Sequence, residues 1–143
     1  MTTAEQLTQS FKDNFVTYYR SHVAHVNITG RTFQSDHELL GGIYEARQAQ
    51  IDFIGELLRT LGEYMPCDIT EVLLESKIDA GELSGDADFL LGMVKEDLEY
   101  LADQYRELIT VAELEEESQI ANYAQDQVLS LAKQIWMLES TLG

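Results

Sequence analysis

The sequence predicts an all-α protein: a four-helix bundle with a short extra helix in the loop between the second and third helices. Three observations carry this. Apolar residues recur at three- and four-residue spacing in four separate stretches, the period of a helix with one buried face. The one proline, Pro66, and the glycines Gly30 and Gly62 fall where those stretches stop. With 143 residues, 45% of them apolar, the chain is long enough for four helices of about 25 residues round one core. Residues 1–143 read as one domain.

The first helix is expected from residue 3 to about 28. Thr2 and Glu5 have capping-box spacing. Leu7, Phe11, Phe15, Tyr18, Tyr19 and Val23 form its apolar stripe, and Gly30 stands in a C′-like position. The second helix is expected over about 35 to 63, opened by a Ser35/Glu38 capping box and closed by Gly62 and Pro66. Leu39, Leu40, Ile43, Ile51, Ile54, Leu57, Leu58 and Leu61 are its apolar positions. Inside it lies Gly41-Gly42, where each glycine costs roughly 0.5–1 kcal/mol relative to alanine. The connection over 64–85 contains one short helix from Asp68. The third helix is expected over about 86–110 and the fourth over about 117–141, with stripes centred on Leu98, Leu101, Tyr105, Val128 and Leu131.

Charge excludes some functions. The net charge of −17 opposes nucleic-acid binding, which requires Lys and Arg to neutralise phosphates. The N-terminal segment carries only Lys12 before Arg20, so it is no basic arm. No apolar run reaches membrane-spanning length. The N-terminus has neither the basic nor the apolar region of a secretory signal, which predicts a cytoplasmic protein. A single cysteine, Cys67, forms no intrachain disulfide framework and suits a reducing compartment. Asn27-Ile28-Thr29 matches a glycosylation sequon but reads as a chance match without such a signal.

The chemistry concentrates between residues 25 and 56. His25 and His37 flank the junction of the first two helices, and Asp52 and Glu56 share a face of the second at i and i+4. Imidazole and carboxylate together suit a first-row metal ion. Fifteen residues separate His37 from Asp52, about 22 Å along one helix. The four side chains of one chain therefore do not meet on one ion. They meet if a second copy packs antiparallel across a two-fold axis. A site inside one bundle would need Glu-x-x-His motifs on facing helices, and the chain contains none.

The run His25, Asn27, Gly30, Phe33, His37, Glu38, Leu39, Tyr44, Asp52 and Glu56 resembles, without a gap, the pattern of the Dps mini-ferritins (DNA-binding proteins from starved cells). The C-terminal Trp-Met-Leu segment at Trp136 is similar to the end of that family's last helix. The resemblance implies a ferritin-like four-helix bundle assembled as a hollow homo-dodecamer. It also implies ferroxidase activity: oxidation of Fe(II), usually by hydrogen peroxide, and storage of ferric iron as protection against oxidative stress. It assigns His25 and His37 of one subunit, with Asp52 and Glu56 of its two-fold mate, as the iron ligands. Twelve such chains would carry roughly −200, a field that draws cations towards openings. In the family, acids near the start of the last helix line iron-admitting pores; Glu117 and Asp126 are the matching candidates.

Two positions depart from the family. Gly41 stands where an aspartate usually follows the second histidine by four residues, so a carboxylate is lost and oxidation is weakened. Val26 replaces the tryptophan common after the first histidine, and Tyr18, Tyr19 and Tyr44 read as core. His22 has no counterpart in the pattern and reads as an interface or surface histidine. The competing expectation is a cage with a degenerate centre that binds metal or acts as a scaffold with little catalysis.

Overall fold

The apolar stripes fold into five helices and no strand. The computed structural model describes residues 1–143: α1 (Thr3–Asn27), α2 (Phe33–Thr60), α3 (Ile69–Glu75), α4 (Ala87–Leu114) and α5 (Ser118–Leu142). Side-chain pairs set their directions. Asn14 meets Arg47 and His25 meets His37, so α1 and α2 are antiparallel. Gln6 meets Gln104 and Arg20 meets Asp97, so α4 also runs against α1. Lys95 reaches Glu139 and Tyr105 reaches Tyr123, so α5 runs against α4. Hence α2 and α4 are parallel, and the connection carrying α3 must travel the length of the bundle.

Two buried side chains tie that crossover down. Asp13 Oδ1 accepts hydrogen bonds from Ser76 Oγ at 3.1 Å and the Lys77 amide at 2.7 Å. Burial pushes the Asp13 carboxyl above its ordinary range, and these hydrogen bonds pull it back only partly. Arg20 donates from Nε to Asp97 Oδ2 at 2.7 Å and from its guanidinium to the Asp79 carbonyl at 3.0 Å. One guanidinium thus joins α1, α4 and the crossover.

Several helix ends differ from expectation. Thr2 and Glu5 do form a capping box on α1. That helix stops at Asn27, before Gly30, because Ile28 turns extended and buries its side chain in the core. The expected Ser35/Glu38 box does not form, because α2 begins at Phe33. Its first turn is held instead by Thr32 Oγ1 donating to the buried Asp36 at 2.8 Å, while Ser35 bonds back to the Thr32 carbonyl. α4 continues to Leu114 since Ala112 extends the buried stripe one turn past Leu108. The acidic run therefore splits between the end of α4 and a turn in which Glu116 adopts a φ of 61°. Glu115 accepts from the Thr3 amide and hydroxyl, placing a carboxylate at the positive end of α1. These Thr3 hydrogen bonds hold its carboxyl below the usual range.

The core is a single cluster from Leu7 to Leu138, interrupted by one polar layer. Arg47 is wholly buried there, donating to Asn14 Oδ1 and Gln127 Oε1 at 3.1 Å each. Asn14 donates to the Tyr105 hydroxyl at 3.0 Å; Tyr105 lies 3.0 Å from the Tyr123 hydroxyl, which donates to Gln50 at 2.7 Å. Burial lowers the Arg47 pKa and raises those of both tyrosines.

One expected core residue lies outside the core of this chain: Tyr19 is 64% exposed. Phe89 and Trp136 are exposed as well. A helical period shows that a stripe exists; it does not say whether the same chain covers it. No helix is long and apolar enough to cross a membrane.

Candidate metal centre

The centre begins where α1 ends and α2 starts. His25 and His37 stack with ring centroids 3.7 Å apart and planes 15° apart. Their hydrogen bonds are reciprocal: His25 Nδ1 lies 2.5 Å from the His37 carbonyl, and His37 Nδ1 lies 2.6 Å from the His25 carbonyl. A carbonyl only accepts, so both Nδ1 atoms carry the hydrogen and both Nε2 atoms keep a free lone pair. Two imidazoles are thereby fixed in the tautomer that ligates a cation.

Asp52 and Glu56 lie further along α2, both exposed. Neither enters any of the ion pairs within the chain. Because α2 is unbroken from Phe33 to Thr60, the separation from His37 stands at about 22 Å, with the two positions about 60° apart around the axis. Asp52 thus lies on the same side of α2 as His37 and Glu56 about 100° round from it, both far along the axis. No three His, Cys, Asp or Glu side chains of the single chain come together as a ligand set. The structure brings His25 and His37 together and leaves Asp52 and Glu56 apart from them.

The comparisons with known proteins follow this geometry. The ferritin-like domain family matches residues 4–143. The DNA protection during starvation protein of Helicobacter pylori is 29% identical over the full length of both chains. Antigen TpF1 of Treponema pallidum is 34% identical, covering 96% of this chain and 78% of its own. The solved structure of that antigen superposes with a TM-score of 0.92, over 98% of this chain and 90% of its own. The Dps of Listeria innocua, at 23% identity, shares the fold with a TM-score of 0.95, over 100% of this chain and 95% of its own. The chain belongs to the Dps family, the mini-ferritins.

In this Dps chain the departure at position 41 has a structural counterpart. A Cβ built on Gly41 would lie 3.1 Å from His25 Cε1 and 3.3 Å from its Nδ1. The His25 ring therefore occupies the space beside the glycine, and a side chain there would have to move it. Glu38 and Glu45 are both exposed, and neither is drawn into an ion pair.

His22 is the residue that the sequence pattern left without a role. It stacks face to face on Tyr44, with centroids 4.0 Å and planes 2° apart. Tyr44 also leans on His25 at 5.0 Å, so its ring touches both histidines from one side. Its i, i+3 spacing from His25 was the only signal available in the sequence.

The pore candidates are separate in one chain. Glu117 is the N-cap residue of α5 and accepts from Gln119 Nε2 at 2.6 Å. Asp126 lies exposed further along α5, about 13 Å away along the axis. The polar layer at mid-bundle has a guanidinium and amides but no carboxylate, a poor environment for a cation.

Proposed function

We propose that this protein is an iron-oxidising and iron-storing mini-ferritin whose ferroxidase centres form between subunits. Iron is both substrate and cargo. His25 and His37 supply neutral Nε2 donors to Fe(II); Asp52 and Glu56 of a second copy supply carboxylates, which favour the ferric product. Two Fe(II) ions give up one electron each, and hydrogen peroxide takes both electrons and two protons to become two waters. Molecular oxygen is the alternative oxidant. The ferric ions pass into a hollow shell, a homo-oligomer read as a dodecamer, and removing Fe(II) together with peroxide protects the cell from oxidative damage. Glu117 and Asp126 are assigned to cation entry, and the protein is placed in the cytoplasm. The net charge of −17 opposes direct DNA binding.

The observation that carries this reading is the reciprocal His25–His37 pairing, which orients two imidazoles that have no other ligand within the chain. Gly41 favours a second reading, a cage that binds one metal per centre and catalyses little.

Co-assembly separates an intersubunit centre from all others. His25→Ala and Asp52→Ala are each expected to abolish rapid oxidation of Fe(II) by peroxide. Unfolded together and reassembled in equal amounts, they form mixed two-fold pairs in which one of the two centres is intact. About a quarter of the original rate should return if pairing is random. No recovery in correctly sized mixed shells would refute the intersubunit assignment. Slow oxidation by the unaltered protein, with one iron per centre, would favour the second reading.

A further inference from the structure

We propose that His22 is a further metal ligand, sharing with His25 the cation that the centre binds and replacing the carboxylate that position 41 lacks. All three histidines of the chain lie at one end of the bundle without forming a three-ligand set: His37 stacks on His25, and His22 and His25 lie one turn apart on α1. The i, i+3 spacing is the one by which Glu-x-x-His directs two ligands from one helix to the same iron. Here an imidazole stands in the carboxylate's place.

The ring geometry suits a shared ion. The His22 and His25 centroids are 6.1 Å apart, with planes inclined at 56°. An ion bound through a ring nitrogen at about 2.1 Å lies roughly 3.2 Å from that ring's centroid, so rings sharing one ion have centroids about 4.5–6.5 Å apart. The stack on Tyr44 engages the face of His22 and not its edge, where the nitrogens lie. The imidazole hydrogen bonds within the chain belong to His25 and His37; His22 makes none. His22 lines an open surface cleft with Tyr19, Val23, Val26 and Asn27, so it is not sealed inside the bundle. The side of His25 next to Gly41 offers no competing carboxylate. The remaining ligands come from the second copy, since no three such side chains of one chain converge.

The inference rests on the reading of His25 as a ligand, so His25→Ala is the reference. The assembled, metal-free protein is titrated with Co(II) without oxygen, following heat and visible absorption, with shell mass checked in parallel. His22→Ala removes the ring; His22→Phe keeps the stack on Tyr44 without a nitrogen. Both are expected to weaken Co(II) binding at least tenfold and to shift its visible spectrum. Unchanged binding in both, or a loss confined to one of them, overturns the proposal, the latter because packing then explains it. If Co(II) binds and His25→Ala abolishes this while both His22 variants bind normally, only His22 is refuted. If the unaltered protein binds no Co(II), the metal-centre reading falls and the role of His22 falls with it.

Discussion

Replacing Gly41 with alanine tests whether His25 is held where the structure places it. In a helix interior alanine is favoured over glycine by about 0.8–1.0 kcal/mol. Gly42 provides the control, because a Cβ there meets nothing within 4 Å. Gly42→Ala is therefore expected to gain the full amount, about 1 kcal/mol. At Gly41 the new Cβ comes within 3.1 Å of His25 Cε1, closer than relaxed packing allows. The ring cannot slide away freely: its Nδ1 is held 2.5 Å from the His37 carbonyl and its face 3.7 Å from the His37 ring. Stretching one such hydrogen bond costs about 1 kcal/mol net, which offsets the propensity gain. Gly41→Ala should thus leave stability within about 0.5 kcal/mol of the original. Its Co(II) affinity should fall by about 10–100-fold, the usual effect of disturbing what orients a ligand. Urea unfolding at one fixed subunit concentration reads the first quantity and calorimetry the second. If Gly41→Ala gains as much stability as Gly42→Ala and binds Co(II) unchanged, the ring is not held as described.

Two further predictions concern the buried charges. Asp97→Ala leaves Arg20, whose side chain is 6% exposed, without its counter-ion and should cost about 3–5 kcal/mol in urea unfolding. Arg20→Met together with Asp97→Leu should cost much less, as no buried charge is left unpaired; a single-variant loss below about 1 kcal/mol would contradict this. Asp13 gives a pH dependence. Its native pKa is raised above the ordinary 3.8, so the native state holds its proton more tightly than the unfolded chain. That contribution to stability is complete below 3.8 and is lost as pH rises through the raised value. Asp13→Asn keeps an acceptor for Ser76 and Lys77 but never ionises. Its stability relative to the original should improve from about pH 4 to about pH 7; a constant difference across that range would refute the assignment.

Much of this molecule was legible in the residues. Apolar spacing located all four long helices, and Asp68 marked the short one, because burying one face of a helix imposes a period that needs no partner to be seen. The ligand candidates stood out by residue type and spacing, and the length of α2 alone showed that His37 and Asp52 of one chain stay apart. Other features arose only when distant segments met. Helix ends moved because Ile28 and Ala112 found burial and because Thr32 bonded Asp36, all choices made by tertiary contacts. Arg47 gives no sign in the sequence of being buried; its partners Asn14 and Gln127 lie on other helices. The reciprocal His25–His37 hydrogen bonds, and with them the tautomer of both rings, depend on bringing two backbone carbonyls to two side chains across a turn. The sequence determined which groups are available and on which helix face each lies. The tertiary structure decided which of them touch, because contact depends on the packing of α1 against α2, which neither helix encodes alone.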